Sequence, residues 1–105
     1  MVSVCMATKN GAKFIREQLD SILAQLDPSD EIIISDDAST DETISLIESY
    51  NDNRIRLLKN KLSVGISRNF EISLNVSKGE FIFLADQDDV WAPNKVEVMK
   101  MNLNG

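Results

Sequence analysis

Short apolar runs alternate along this chain with stretches of helical period, and that alternation limits the fold more than any other feature. Residues 2–7 (Val-Ser-Val-Cys-Met-Ala) form a first strand candidate, broken by Thr8, Lys9, Asn10 and Gly11. From Ala12 to Leu26 the apolar positions Phe14, Ile15, Leu19, Ile22, Leu23 and Leu26 recur at helical spacing. Asn10 suits the N-cap, and Asp27-Pro28-Ser29-Asp30 supplies a stop. Glu31–Ser35 holds the β-branched run Ile32-Ile33-Ile34, a second buried strand. Ser39 and Glu42 match a capping box for a helix from near Asp41, with Ile44, Leu46, Ile47 and Tyr50 as its apolar side. A third strand is expected over Ile55–Leu58. Gly65 precedes a helix from Ile66 to about Val76, on which Ile66, Phe70 and Leu74 share a face. Phe81–Ala85 reads as a fourth strand buried on both faces, and Ala92-Pro93 opens a last helix with Val96, Met99 and Leu103 inward. The pattern predicts an α/β domain with a Rossmann-like parallel sheet of about four strands, covered by helices through right-handed crossovers.

Where such strands end matters more than where they begin. Open parallel sheets bind ligands outside the carboxyl ends of their strands, and three polar clusters follow strands here: Thr8–Asn10, Asp36–Asp37 and Asp86–Asp89. All are therefore expected on one edge. Asp86, Asp88 and Asp89 crowd three carboxylates into four positions. Two like charges ~4 Å apart repel by roughly 4 kcal/mol at an effective dielectric of about 20. Such a cluster needs solvent, a raised pKa or a counter-charge, and a hard divalent cation, Mg²⁺ or Mn²⁺, accepts oxygen ligands of this kind.

Composition removes several classes of function. The 105 residues suit one domain with a modest core, and hydrophobic and charged fractions of 43% and 27% are ordinary for a globular protein. The net charge of −6 and the lack of any Lys or Arg run argue against a nucleic-acid backbone as partner. No histidine is present, which excludes Ser-His-Asp and Cys-His machinery and most zinc sites. The one cysteine, Cys5, lies in an apolar run and reads as a buried inert thiol. With no signal-peptide pattern and no span of ~20 apolar residues, a cytoplasmic location is expected, at the inner face of a membrane as an option for the full-length protein.

Individual residues carry competing readings. Asp37 suits hydrogen bonding to a neutral donor such as a base N–H, against a capping role that Ser39 fills as well. Lys9 suits a phosphate or the face of a base, and equally a solvated surface. Arg68 faces the same edge or pairs with Glu71, three positions on. Trp91 and Tyr50 read as packing residues. No Gly-x-Gly-x-x-Gly follows the first strand and no Walker loop occurs, so glycine-cradled dinucleotide and P-loop sites are not expected.

In combination these stretches resemble the family-2 glycosyltransferases of the GT-A fold. Val-Ser-Val-Cys-Met-Ala-Thr-Lys-Asn-Gly is similar to that family's opening strand and loop. Ser-Asp-Asp-Ala-Ser-Thr-Asp at 35–41 is similar to its acid pair. Gly79-Glu80 followed by Leu84-Ala85-Asp86-Gln87-Asp88-Asp89 is similar to its Asp-x-Asp element, and Asp-Gln-Asp-Asp-Val-Trp further resembles a rhamnosyltransferase branch. The resemblance implies that Ala7, Thr8, Lys9 and Asp37 hold the nucleoside of a UDP- or dTDP-linked sugar, with Arg68 at the same edge. Asp86 would lie by the ribose and diphosphate, and Asp88, with Asp86, would bind the cation. It implies transfer with inversion to a glycan or lipid-linked hydroxyl, deprotonated by a carboxylate. Lys9 stands where the family commonly has Tyr, and none of these carboxylates is assignable as the base. The chain accordingly reads as a truncated nucleotide-binding half, inactive alone, and an exposed sheet edge would favour self-association. Two rivals remain: a haloacid-dehalogenase-like phosphatase with Asp86 as nucleophile, and a non-catalytic nucleotide-binding module.

Overall fold

A computed structural model describes residues 1–86 of the chain. Its elements alternate as β1 (Val2–Thr8), α1 (Ile15–Leu23), β2 (Glu31–Asp36), α2 (Thr43–Glu48), β3 (Ile55–Lys59), α3 (Ile66–Val76) and β4 (Phe81–Asp86). The four strands form one parallel sheet in the order β3-β2-β1-β4. Two crossovers thus step one way from β1, and the third returns past it. Right-handed connections that run in opposite directions lay their helices on opposite faces. So α1 and α2 cover one face, where Ile15, Leu19, Ile22 and Ile47 close over Val4, Met6, Ile32, Ile34 and Phe83. Helix α3 crosses the other face against β1 and β2. Among the described residues no helix is long and apolar enough to cross a membrane.

Several expectations change in the structure. Among the described residues β4 lies at the edge of the sheet with only one face buried: Phe83 and Ala85 point into the core, while Ile82 and Leu84 are 46% and 54% exposed. On α3, Ile66 and Leu74 are exposed, and Asn69 and Ser73 are the buried positions. The sheet face under that helix explains the reversal. Ser3, Cys5, Ala7 and Ser35 present small side chains there beside Ile33, and α3 turns the short polar groups of Asn69 and Ser73 inward. Cys5 is fully buried, and burial pushes its thiol pKa up against opposing hydrogen bonds from Ser73 and Ser77.

The helix starts also differ. Helix α1 begins at Ile15 rather than Ala12, and Gly11 O accepts from Phe14 N and Ile15 N. Asn10 does not cap it; its side-chain oxygen accepts instead from Thr40 N and Asp41 N. The Ser39–Glu42 capping box does not form, because Ala38 at φ +60° turns Ser39 back onto Asp36. Asp41 takes over, accepting from Thr43 N at the start of α2 and from Ala12 N beside α1. The expected helix from Ala92-Pro93 lies outside the described residues.

Candidate functional site

Because the chain steps from β1 to β2 and β3 on one side and then returns to set β4 on the other side of β1, the crevice at the carboxyl ends of β1 and β4 is a topological switch point of the sheet. Doubly wound α/β proteins bind ligands at that point. Pairing aligns Ala7 with Asp86 across β1 and β4, and Thr8 with Asp36 across β1 and β2. Three strand ends therefore meet within a few residues of each other.

The two acids that follow β2 divide their work. Asp36 is fully buried: its Oδ1 accepts from Thr8 Oγ1 at 2.7 Å and Ser39 Oγ at 2.6 Å, and its Oδ2 from Ser39 N at 2.9 Å. Asp37 anchors to β1 through its own N–H, donated to Thr8 O at 2.8 Å. Its carboxylate turns the other way, into the segment between β3 and α3. There Oδ1 accepts from Asn60 Nδ2 (3.1 Å) and Val64 N (2.7 Å), and Oδ2 accepts from Ser63 Oγ (2.9 Å) and Gly65 N (3.0 Å). Burial works to raise the Asp37 pKa. The hydrogen bonds from Val64 N, Asn60, Ser63 and Gly65 N outweigh it and hold the group at about 2.

Asn69 ties this corner to the sheet. Only 2% exposed, its amide donates to Ser35 O at 2.8 Å and to Thr8 O at 3.5 Å, and its Oδ1 accepts from Asn60 Nδ2 at 3.0 Å. Asn60 N in turn donates to Asp36 O at 2.9 Å. At the open side of the network Lys9 Nζ donates to Ser63 Oγ at 2.7 Å.

Of the residues singled out by sequence, Thr8, Lys9 and Asp37 lie in one hydrogen-bonded network, and Ala7 precedes Thr8 on β1 with Asp86 opposite it at the end of β4. Arg68 stands apart from it: its guanidinium donates to Glu71 at 2.7 Å, with both side chains more than half exposed. Asp88, Asp89 and Trp91 lie outside the described residues. Asn60, Ser63, Val64, Gly65 and Asn69 belong to the corner and were not anticipated. Their one sequence signal was the pair of turn-forming residue types, Asn60 and Gly65, before a helix.

Among the described residues no group of three acids, cysteines or histidines could hold a metal ion. In the sequence Asp86, Asp88 and Asp89 supply carboxylate oxygens, the donor type that suits Mg²⁺ or Mn²⁺, but Asp88 and Asp89 lie outside the described residues.

A parallel sheet with three strand ends meeting at a switch point defines a doubly wound α/β domain whose ligand edge carries acids at the ends of β2 and β4. The sequence pattern described as Glycosyl transferase family 2 matches residues 3–104. The chain belongs to that family, and its sheet matches the GT-A fold. A curated relative from Escherichia coli, UDP-Glc:alpha-D-GlcNAc-diphosphoundecaprenol beta-1,3-glucosyltransferase WfgD, is 33% identical over 98 residues, covering 93% of this chain and 39% of the relative. The crystal structure of S. aureus TarS 1-349 in complex with UDP-GlcNAc superposes with a TM-score of 0.90 at 26% identity, covering 98% of this chain and 31% of that one. Mannosyltransferase PcManGT from Pyrobaculum calidifontis, in complex with GDP-Man and Mn²⁺, gives 0.80 at 31% identity, covering 90% and 30%. The chain thus spans between three and four tenths of the length of these proteins. Family membership removes the phosphatase reading of Asp86.

Proposed function

We propose that these residues form the donor side of an enzyme that transfers a sugar from a nucleoside-diphosphate sugar to an acceptor hydroxyl. The observation that carries this reading is the meeting of three strand ends at the switch point, with Asp37 tied to Thr8 and Asp86 in register with Ala7. The names of the similar proteins support it, since they include a UDP-Glc enzyme and complexes with UDP-GlcNAc and GDP-Man. In this reading Ala7, Thr8 and Lys9 lie along the nucleoside, beside the corner that Asp37 organises. Asp86 and Asp88 hold the cation, and Mg²⁺ or Mn²⁺ bound there supplies Lewis-acid stabilisation of the departing nucleoside diphosphate. Arg68 is a candidate for the diphosphate, because an exposed ion pair like the one with Glu71 is worth only about 0–1 kcal/mol and yields readily to a doubly charged anion. Inverting transfer would need a carboxylate base, and none of those described is assigned that task. A UDP- or dTDP-linked donor and a lipid-linked or glycan acceptor are the partners expected, with a cytoplasmic location, the inner face of a membrane being the option for the full-length protein.

Titration of UDP and dTDP with and without Mn²⁺ tests the proposal. Binding should weaken at least tenfold on chelation and in Asp88→Ala, the scale of losing one charge-assisted contact. Metal-independent binding of equal strength, or none in a folded sample, overturns the donor-site reading.

A further inference from the structure

The burial of Gln18 on α1 is not explained by the apolar core. The residue is fully buried, and among the described residues neither its Oε1 nor its Nε2 has a hydrogen-bond partner. Glutamine is a mostly exposed residue type. A carboxamide taken from water and left unpaired bears its desolvation penalty at both ends. Buried polar groups in native proteins are paired, so an exception of this kind asks for its partner. Ser35 Oγ is likewise buried and unpaired, but it lies on the sheet face beneath α3, whereas α1 covers the opposite face.

The place of Gln18 on the helix shows where that partner lies. At about 3.6 residues per turn, Ile15, Leu19 and Ile22 form the stripe that meets the sheet, in one cluster with Phe83 and Ala85 of β4. Arg16 and Asp20 mark the flank toward α2. Tyr50 Oη, just past that helix, donates to Arg16 O at 3.0 Å and to Asp20 Oδ1 at 2.8 Å. Gln18 projects from the other flank. With the strands in the order β3-β2-β1-β4, and α2 belonging to the crossover from β2 to β3, that flank is the one toward β4. Gln18 also lies about one turn from the start of α1, the end that adjoins the carboxyl edge of the sheet. At that edge the chain leaves β4 at Asp86 and continues into Gln87-Asp88-Asp89-Val90-Trp91.

We infer that Gln18 is a positioning residue for the acidic stretch after β4: its carboxamide pairs with the backbone of residues 87–91 and sets where Asp88 stands beside Asp86. This rests on the donor-site reading, which gives those two carboxylates to the cation. Backbone suits both ends of the amide at once, a C=O accepting from Nε2 and an N–H donating to Oε1. A carboxylate would satisfy Nε2 alone and leave Oε1 unpaired. Gln18 then touches neither cation nor sugar and acts only through the segment it holds.

The test uses the natural protein, with Mn²⁺ alone and metal-free UMP as separate probes. In wild type the side-chain N–H protons of Gln18 should give nuclear Overhauser contacts to backbone protons of residues 87–91. Gln18→Leu removes the pairing and keeps most of the bulk; where it fails to fold, the unbranched Gln18→Met carries the same test. In the variant, amide exchange at 87–91 should quicken and Mn²⁺ affinity should fall, each by about three- to tenfold, the worth of one hydrogen bond. Affinity for UMP should be unchanged. No contact between Gln18 and residues 87–91 overturns the inference. So does unaltered exchange, Mn²⁺ affinity equal to wild type, or a UMP loss as large as the Mn²⁺ loss, which would mark a merely structural role. Where wild type binds Mn²⁺, those outcomes leave the donor-site reading standing. A wild-type protein that binds no Mn²⁺ overturns that reading first, and this inference with it.

Discussion

Adjacent aspartates at the end of a buried strand receive different neighbours because backbone direction alternates along the strand. Asp36 still belongs to β2 and turns to Thr8 on β1, whereas Asp37 has left the sheet and reaches the segment after β3. That segment is prebuilt at Gly65. Added there, a Cβ meets nothing within 4 Å, so Gly65→Ala carries no steric clash and its cost is conformational alone. About 1–3 kcal/mol of stability should be lost, the usual penalty for an L-residue forced to φ +92°, read by urea denaturation. A neutral Gly65→Ala would show that the segment relaxes without harm and is not rigidly held by Asp37. At this scale the sequence was half legible. Asp37 announced itself as an acid after a strand, but its partners lie 23 to 28 positions away. No local pattern links Asn60, Ser63 or Asn69 to it.

Elements were legible where side-chain type follows the environment and illegible where a partner surface decides. The triple isoleucine of β2 and the largely apolar character of β1 mark strands covered on both faces, and both strands are buried along nearly their whole length. Phe-Ile-Phe-Leu-Ala in β4 looks the same in sequence, yet among the described residues Ile82 and Leu84 on one of its faces are exposed. The same blind spot affects α3, whose apolar stripe suggested one inward face while the small-residue floor of Ser3, Cys5 and Ala7 selected another. Strand β4 gives the sharper test. Phe83→Ala empties a site in the core that is 6% exposed and should cost about 3–5 kcal/mol. Leu84→Ala, at 54% exposure, removes mostly solvated surface and should cost under about 1 kcal/mol. Denaturant midpoints of the two variants compare them directly, and equal losses would mean that both faces of β4 are covered. Where β4 meets β1, Gly79 is needed for space. A Cβ there would come within 2.6 Å of both Ser3 N and Ser3 Oγ, which fixes why this position precedes the strand.

For the whole molecule, charge and hydrogen bonding pull stability in opposite directions as the solution is acidified. Seventeen acids oppose eleven bases, and no histidine is present to titrate near neutrality. Lowering the pH toward 5 therefore changes few protonation states and somewhat relieves the self-repulsion of a chain at −6. Below that range the bound carboxylates dominate. Burial works to raise the pKa of Asp37 and Asp41 but is outweighed by their donors, and the hydrogen bond from Arg54 leads in lowering Asp52. All three are lower folded than unfolded, so the native state binds fewer protons. The stabilisation is complete above the ordinary value of 3.8, then fades as pH falls through the folded values, for Asp37 near about 2. Thermal midpoints should thus stay nearly level from about pH 8 to about pH 5 and drop steeply below about pH 4. Asp37→Asn separates this linkage from a general acid effect. An amide leaves at most one oxygen for four donors, so the variant should melt lower than wild type at neutral pH. The gap should narrow as wild-type Asp37 takes up its proton and loses the same advantage. Circular-dichroism melts at several pH values measure that gap directly; one that stays constant down to about pH 2 would mean that the Asp37 charge does not hold the 60–65 segment in place.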